Sequence, residues 1–255
     1  MSFVTVRNIF QSYGTRPILE RVNLDVQEGE FISIVGASGC GKSTFLRLLL
    51  AQEQPTHGEI RIADQPPAKE PGLDRGVVFQ RYSVFPHLTI RENIIAGEAF
   101  RTRWGRLSGL SKREAQARAD ETLARCGLSA VANQYPSTLS GGMQQRLAIG
   151  QALTAKPRIL LLDEPFGALD PGTRLSMHDF LTELRAETGM TVFMVTHDLE
   201  EGFKLGDRVL VFDKPRWDPD DPDLIGATIT YDFDARDGGI PFQRIKEETH
   251  VLRPV

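Results

Sequence analysis

The chain has 255 residues, with 30 Lys and Arg against 34 Asp and Glu for a formal net charge of −4, a balance that gives no electrostatic case for nucleic acid as the main partner. Hydrophobic content of 40% and charged content of 25% describe an ordinary folded protein, long enough for one large domain or a core with an inserted lobe. No apolar run approaches the roughly 18 residues that span a bilayer, two cysteines do not make a disulfide framework, and the strand-like N-terminus lacks the basic start and long apolar stretch of a signal peptide, so the expected compartment is the cytoplasm.

Phe3 to Phe10 and Ile18 to Val26 are apolar-rich segments separated by the turn residues Tyr13 to Pro17, and Gly58 to Ile62 is a third short strand candidate. Together they predict a mainly antiparallel layer. Tyr13 is an aromatic on a turn, a place from which it could stack on a base or serve as an ordinary surface or core tyrosine.

Gly36 to Thr44 reads GASGCGKST and fits G-x-x-x-x-G-K-[ST] at every fixed position. Four variable residues between Gly36 and Gly41 let the loop curl until successive backbone N–H groups face one anion. Lys42 is then placed to reach β and γ phosphates as a point charge, and the Ser43 hydroxyl to ligand Mg²⁺. The context fits the motif. Phe31 to Val35 is a β-branched run suited to a buried strand, and Thr44 to Leu50 reads as a helix whose N-terminus faces the phosphates.

Gly76 to Gln80 is a buried-strand pattern ending in a polar residue, where an open parallel sheet presents groups to a ligand. The loop from Arg81 to Ile90 mixes aromatic, apolar and basic residues, which suits either a docking surface or packing within the chain. From about Thr89 to Tyr135 strands give way to helical signals: Ser111 to Glu114 has capping-box spacing, and Ala115, Ala119, Leu123 and Cys126 fall on one helical face. Arg101, Arg103, Arg106, Lys112 and Arg113 form a basic cluster that reads as a solvated helix face. Leu107-Ser-Gly109 lacks the second glycine of the next motif.

That motif is LSGGMQQR, Leu139 to Arg146. Ser140 is a good N-cap, Gly141 and Gly142 permit close backbone approach, and a helix from Met143 to Ala155 stops before Pro157, so a second helix N-terminus is offered to an anion. An ordinary helix cap is the alternative. Arg158 to Leu162 is a continuous apolar run of central-strand type that ends in Asp163 and Glu164. Two carboxylates at the end of a buried strand cost stability unless they meet a metal or a base role; Asp163 would hold Mg²⁺ and Glu164 would polarise an attacking water. Asp170 is placed to cap the helix carrying Leu175, Leu181 and Leu184. Thr191 to Val195 is another strand, delivering His197 to the same edge as a candidate γ-phosphate contact. Past Asp213 come an acidic, proline-rich loop from Trp217 to Asp223 and a strand-like alternation from Leu224 to Phe233.

Taken in order, these motifs resemble the ATP-binding subunit of an ABC transporter over about Phe3 to Asp213. GASGCGKST resembles Walker A, Gln80 the Q-loop, LSGGMQQR the signature, ILLLDEP Walker B, Ala168 to Asp170 the D-loop, and His197 the switch histidine. The resemblance implies an α/β fold: a P-loop NTPase core with a mainly parallel sheet over 1–88 and 136–213, an antiparallel β layer, an inserted helical lobe over 89–135, and a C-terminal extension over 214–255. ATP and Mg²⁺ are the implied cofactors. ATP would be held by Tyr13, now read as the adenine platform, by Gly36, Ala37, Ser38, Gly39, Cys40, Gly41, Lys42, Ser43 and Thr44, and by Ser140, Gly141, Gly142 and Asp170. Mg²⁺ would be held by Ser43, Gln80 and Asp163, and hydrolysis would engage Glu164, His197, Gln80 and Lys42.

The resemblance further implies a homodimer or paired ATPase subunit in which each ATP lies between Walker A of one chain and the signature of the other. It implies permease subunits docked near Tyr82 to Leu88, an indirect solute-binding protein in the periplasm or outside the cell, no nucleic acid, and a peripheral place on the cytoplasmic face of the inner membrane. Wording such as SGCGKST and EPFGALD is closest to the nitrate, sulfonate and taurine importer group, while Glu201 to Phe233 is similar to members associated with urea or guanidine carboxylation. The alternative is a non-transport ABC ATPase of translation or DNA repair, which would carry two ATPase units or a long coiled coil; neither pattern is present. Three departures stand out: Met143 where glutamine is commoner, Gly150-Gln151 where alanine and arginine are usual, and a tail that is not the regulatory barrel of longer importer ATPases. A glycine inside a helix costs roughly 1 kcal/mol against alanine, and the sequence gives no reason for it.

Overall fold

The computed structural model describes residues 2–79, 84–99, 112–215 and 225–237. They fall into two compact units, Met1–Gly72 with Thr191–Val255, and Leu73–Met190.

The first unit opens with β1 (Val4–Tyr13) and β2 (Arg16–Val26), then β3 (Phe31–Gly36), α1 (Lys42–Leu49) and β4 (His57–Ile62). β1 pairs antiparallel with β2 and with β4, in the registers Val4 to Val26 and Val4 to Ile62. Alternation covers Val4 and Val6, a register shift at Asn8 (φ 50°) brings Ile9 to the covered face as well, and Arg7 on the other face holds Asp25 at 2.7 Å and keeps that carboxyl below its usual range. This is the expected antiparallel layer. β3 has no such alternation, because all six of its residues are buried, as a strand covered on both faces requires.

The second unit contains β5 (Arg75–Val78), α2 (Ile90–Ala99), α3 (Lys112–Arg125), α4 (Gly141–Leu153), β6 (Ile159–Asp163) and α5 (Pro171–Thr188). β5 and β6 are parallel, with Gly76 opposite Leu160. The predicted helix face of Ala115, Ala119, Leu123 and Cys126 is buried. α5 buries Met177, Phe180, Leu181 and Leu184, but Leu175, expected beside the other two leucines, is 54% exposed. Ser111 and the basic residues Arg101, Arg103 and Arg106 lie outside the described residues.

The chain returns to the first unit with β7 (Thr191–Val195), α6 (Leu199–Leu205), β8 (Arg208–Asp213) and β9 (Thr228–Asp234). β3 lies between β7 and β8, parallel to both, and β9 adds antiparallel to β8. The sequence reading has no strand over β8, and its strand from Leu224 is displaced: Ala227 first bridges Leu19, accepting from Glu20 N at 2.9 Å and donating to Ile18 O at 2.8 Å. β9 is thus part of the sheet that carries the glycine-rich loop, with Tyr231 and Phe233 packed over Val35, Val209 and Val211. Arg208 fastens it, reaching Asp232 at 2.5 Å and Glu30 at 3.3 Å.

Candidate functional site

In the first unit, the loop between β3 and α1 is shaped by two glycines that tolerate no side chain. A Cβ on Gly36 would stand 2.3 Å from Phe212 O, and one on Gly41, at φ 86°, would stand 2.7 Å from Leu19 Cδ2. Gly41 therefore lies directly against β2. The loop is closed by a turn in which Cys40 N donates to Ala37 O, and Lys42 lies folded back across it, its Nζ 2.7 Å from Gly36 O, 2.8 Å from Ala37 O and 3.8 Å from Cys40 Sγ. The ammonium is buried, so these carbonyls stand in for the oxygen acceptors that a phosphate would supply. Burial also pushes the Cys40 thiol up, keeping it neutral beside the lysine.

Tyr13, at the end of β1, is 45% exposed. Its hydroxyl donates to Glu53 Oε2 at 2.5 Å and accepts from Arg47 Nη2 at 3.4 Å. Arg47, on α1, also donates to Thr44 Oγ1 at 3.1 Å, and its Nε sits 2.9 Å from Glu53 Oε1 as an ion pair outside hydrogen-bond alignment.

His197 follows β7 and is exposed. It sits in a braced segment: Glu201 Oε2 accepts from Thr196 Oγ1 at 2.6 Å, Asp198 N donates to Thr196 Oγ1 at 3.1 Å, and Asp198 Oδ1 caps α6 by accepting from Glu201 N at 3.1 Å. Glu201 is buried, and sequence reading missed it because its partner is a threonine hydroxyl five residues away.

In the second unit, Asp163 ends β6 and Glu164 follows at φ 47°. A left-handed glutamate costs about 1–3 kcal/mol of local strain, which points to a functional demand on that side chain. Ser140 caps α4 by accepting from Met143 N at 3.4 Å, and Asp170 caps α5 by accepting from Thr173 N at 3.1 Å; hydrogen bonds from the Thr173 side chain first and its backbone second hold the Asp170 carboxyl below the usual range. The two helix starts meet: a Cβ on Gly142 would stand 2.3 Å from Thr173 Cγ2, and Ser140, Gly142, Arg146, Thr173 and Ser176 line a cleft of about 350 Å³. Arg146 is engaged with Ser176 Oγ at 2.9 Å and lies 4.8 Å over the Phe180 ring.

The structure brings Tyr13, Gly36 to Thr44 and His197 into one unit, and Ser140, Gly141, Gly142, Asp163, Glu164 and Asp170 into the other. Gln80, like Tyr82 and Ser83 of the expected docking loop, lies outside the described residues. The rest of that loop is held by a residue that sequence reading passed over. Asn93 is fully buried; its Oδ1 accepts from Phe85 N at 2.7 Å, and its Nδ2 donates to the carbonyls of Phe85, Leu88 and Thr89 at 2.9 to 3.1 Å. The available signal was the capping box Thr89 to Glu92 just before it, in which Thr89 N donates to Glu92 Oε2 at 2.8 Å. Gln151 completes the clamp, donating to Asn93 Oδ1 at 3.0 Å, which accounts for glutamine at a position where arginine is usual. Among the described residues no three carboxylates, histidines or cysteines cluster to hold a metal. Ser43, in the first turn of α1, and Asp163, at the end of β6, each carry an oxygen donor of the kind that Mg²⁺ takes.

The chain matches a family model described as ABC transporter over residues 19–167. It is 42% identical over 208 residues to an ATP-binding protein of Brucella abortus, covering 82% of this chain and 77% of that one. It is 44% identical over 215 residues to a bicarbonate transport ATP-binding protein of Synechococcus elongatus, covering 82% of this chain and 31% of the relative. Against a nitrate import ATP-binding protein of Synechocystis, it is 46% identical over 193 residues, covering 76% and 28%. A solved dimer of an ATP-binding cassette in a post-hydrolysis state, bound to ADP and phosphate, superposes with a TM-score of 0.74 at 34% identity, covering 93% of this chain and all of that one.

Proposed function

Because this chain belongs to the ABC transporter family, as a nucleotide-binding ATPase that couples hydrolysis to transport, we propose that it is the energy-coupling subunit of an importer for a small solute. The observation that carries the reading is the loop from Gly36 to Thr44 with Lys42 folded across it. ATP draws Lys42 off the carbonyls of Gly36 and Ala37, exchanging neutral acceptors for charged ones, which form the stronger bonds. Tyr13 stacks on adenine. Ser43, Gln80 and Asp163 would hold Mg²⁺, which would screen the phosphate charge. Glu164 orients the attacking water, and His197 meets the γ-phosphate. Ser140, Gly141 and Gly142 offer the α4 N-terminus to the ATP of a second copy, with Asp170 beside them at the start of α5.

In this reading 1–88 and 136–213 form the nucleotide-binding core and 89–135 the helical lobe, with permeases docking on the loop that Asn93 holds. The chain is then peripheral on the cytoplasmic face of the membrane, and a separate binding protein selects the solute. Nitrate and bicarbonate, named for two relatives, make small oxyanions the leading class, with urea- or guanidine-like solutes next. The test is co-reconstitution of the chain in liposomes with the permease and binding protein of an oxyanion importer. Hydrolysis raised several-fold by solute-loaded binding protein is expected; turnover that ignores the permease and responds to ribosomes or DNA overturns the importer reading in favour of a non-transport ATPase.

A further inference from the structure

A base-stacking ring is useful only where its plane is held before the nucleotide arrives. Tyr13 stands at the end of a strand next to a two-residue turn, Gly14 and Thr15, where Gly14 has φ 62° and nothing within 4 Å of its Cβ position. The Tyr13 hydroxyl is tied at 2.5 Å to Glu53, which follows α1, and at 3.4 Å to Arg47 on α1. Glu53 is held in turn by Arg47 at 2.9 Å and by Gln11 Nε2 at 3.4 Å. Gln11 is buried and accepts from Thr56 N at 3.1 Å. At the other end, Arg47 donates to Thr44 Oγ1, the last residue of the phosphate loop.

We propose that Glu53 and Arg47 are positioning residues that lock the Tyr13 ring at a fixed distance from the phosphate loop and so set how strongly the protein senses the base of its nucleotide. The proposal rests on the reading of Tyr13 as the adenine platform. A hydrogen bond from a phenol to a carboxylate is among the stronger neutral-to-charged kinds, and it removes freedom that the exposed ring would otherwise lose on binding. Since α1 carries both Arg47 and the loop lysine, the ring and the phosphate donors are referenced to one rigid element.

The experiment compares two probes on the full chain, Mg·ATP and Mg·tripolyphosphate, the second having phosphates but no base. Tyr13→Phe and Glu53→Ala should each weaken ATP by about three- to tenfold, a fraction of what stacking is worth, while leaving tripolyphosphate affinity unchanged. The double variant should be no weaker than the worse single one, because both remove the same bond. Unchanged tripolyphosphate binding also reports a folded loop. Equal weakening of both probes overturns the proposal, since a loose loop rather than a loose ring is then responsible, and so does wild-type ATP affinity in both single variants. Tyr13→Ala separates the premise: if it leaves ATP affinity unchanged, the stacking reading fails and takes the proposal with it; if it weakens ATP while Tyr13→Phe and Glu53→Ala do not, the positioning role alone is overturned.

Discussion

The glycine-bearing starts of α1 and α4 are built differently. At α1 the glycines make room for backbone and core, with Gly36 facing Phe212 O and Gly41 facing β2, and a lysine with its own charge lies inside the loop. At α4 Gly142 makes room for a neighbouring helix, through Thr173, and the first turn holds only Met143 and Gln144 beside the serine cap. Its nearby arginine is committed to Ser176 and Phe180. The first start can hold an anion alone. The second has donors and a dipole but no counter-charge, which suits an anion already neutralised by someone else's cation. In the proposed reading each is one half of a site.

That asymmetry is broken most severely from the first half. Lys42→Ala leaves the loop without its charge, and hydrolysis should fall by about a thousandfold or more, on the scale of a lost electrostatic clamp on transferring phosphate; near-normal turnover in a coupled phosphate-release assay would sink the assignment. Glu164→Gln removes no phosphate contact. It should leave ATP affinity within about twofold while lowering turnover at least about a hundredfold, the usual range for a positioned base, and sedimentation with ATP should show dimers accumulating. Full hydrolysis by this variant would return the left-handed backbone at Glu164 to the status of unexplained strain.

Next in size is the shared-site test. Lys42→Ala and Ser140→Trp homodimers each lack one half of every site, so both should be inactive. In their mixed dimer the two lesions fall in one site and leave the other whole, so random exchange should restore about a quarter of the sites. Binding of one ATP per mixed dimer, measured beside turnover, covers the case in which sites fire only together. Verified exchange with neither signal would mean that the two helix starts do not complete one another.

How much of this was visible beforehand followed the range of the interaction. Gly36, Gly41, Lys42, Ser140 and the Asp163-Glu164 strand end are legible because fixed local spacing creates them, and the caps at Ser140 and Asp170 because a cap bonds its own helix three residues on. β8 is not among the expected strands although Gly206 and Asp207 mark a turn just before RVLVFD, and β9 begins later than expected because Ala227 pairs with Leu19 of β2 rather than with β8. The Tyr13 to Glu53 bond spans 40 residues and the Gln151 to Asn93 bond 58, separations at which no periodicity survives. The same holds for Gly150, whose reason lies on two other helices.

Gly150 allows the smallest and most selective test of the comparison, since it lies toward the far end of the helix that begins at the second start. A Cβ there would stand 2.9 Å from Cys126 Sγ and 3.0 Å from Ile94 Cδ1, and both neighbours are buried. Alanine would gain about 1 kcal/mol of helix propensity but overpack a filled site at about 1–3 kcal/mol. A sulfur one bond from its own Cβ has little room to move, so the packing loss should win and Gly150→Ala should be destabilised by about 1 kcal/mol in urea unfolding. Adding Cys126→Ala should recover much of that loss, a coupling that two distant sites would not show. Cys126 also gives the pair a pH signature. Burial pushes its thiol from 9.0 to about 12; because the folded value is the higher one, the stability it protects is complete below pH 9 and is lost as pH rises toward 12. Variants lacking Cys126 should therefore lose less stability over that range. ADP binding at neutral pH should be untouched throughout, because the loop proposed to hold it belongs to the other unit. If Gly150→Ala is as stable as the native chain, propensity outweighs packing and the glycine is not what lets α4 approach its neighbours.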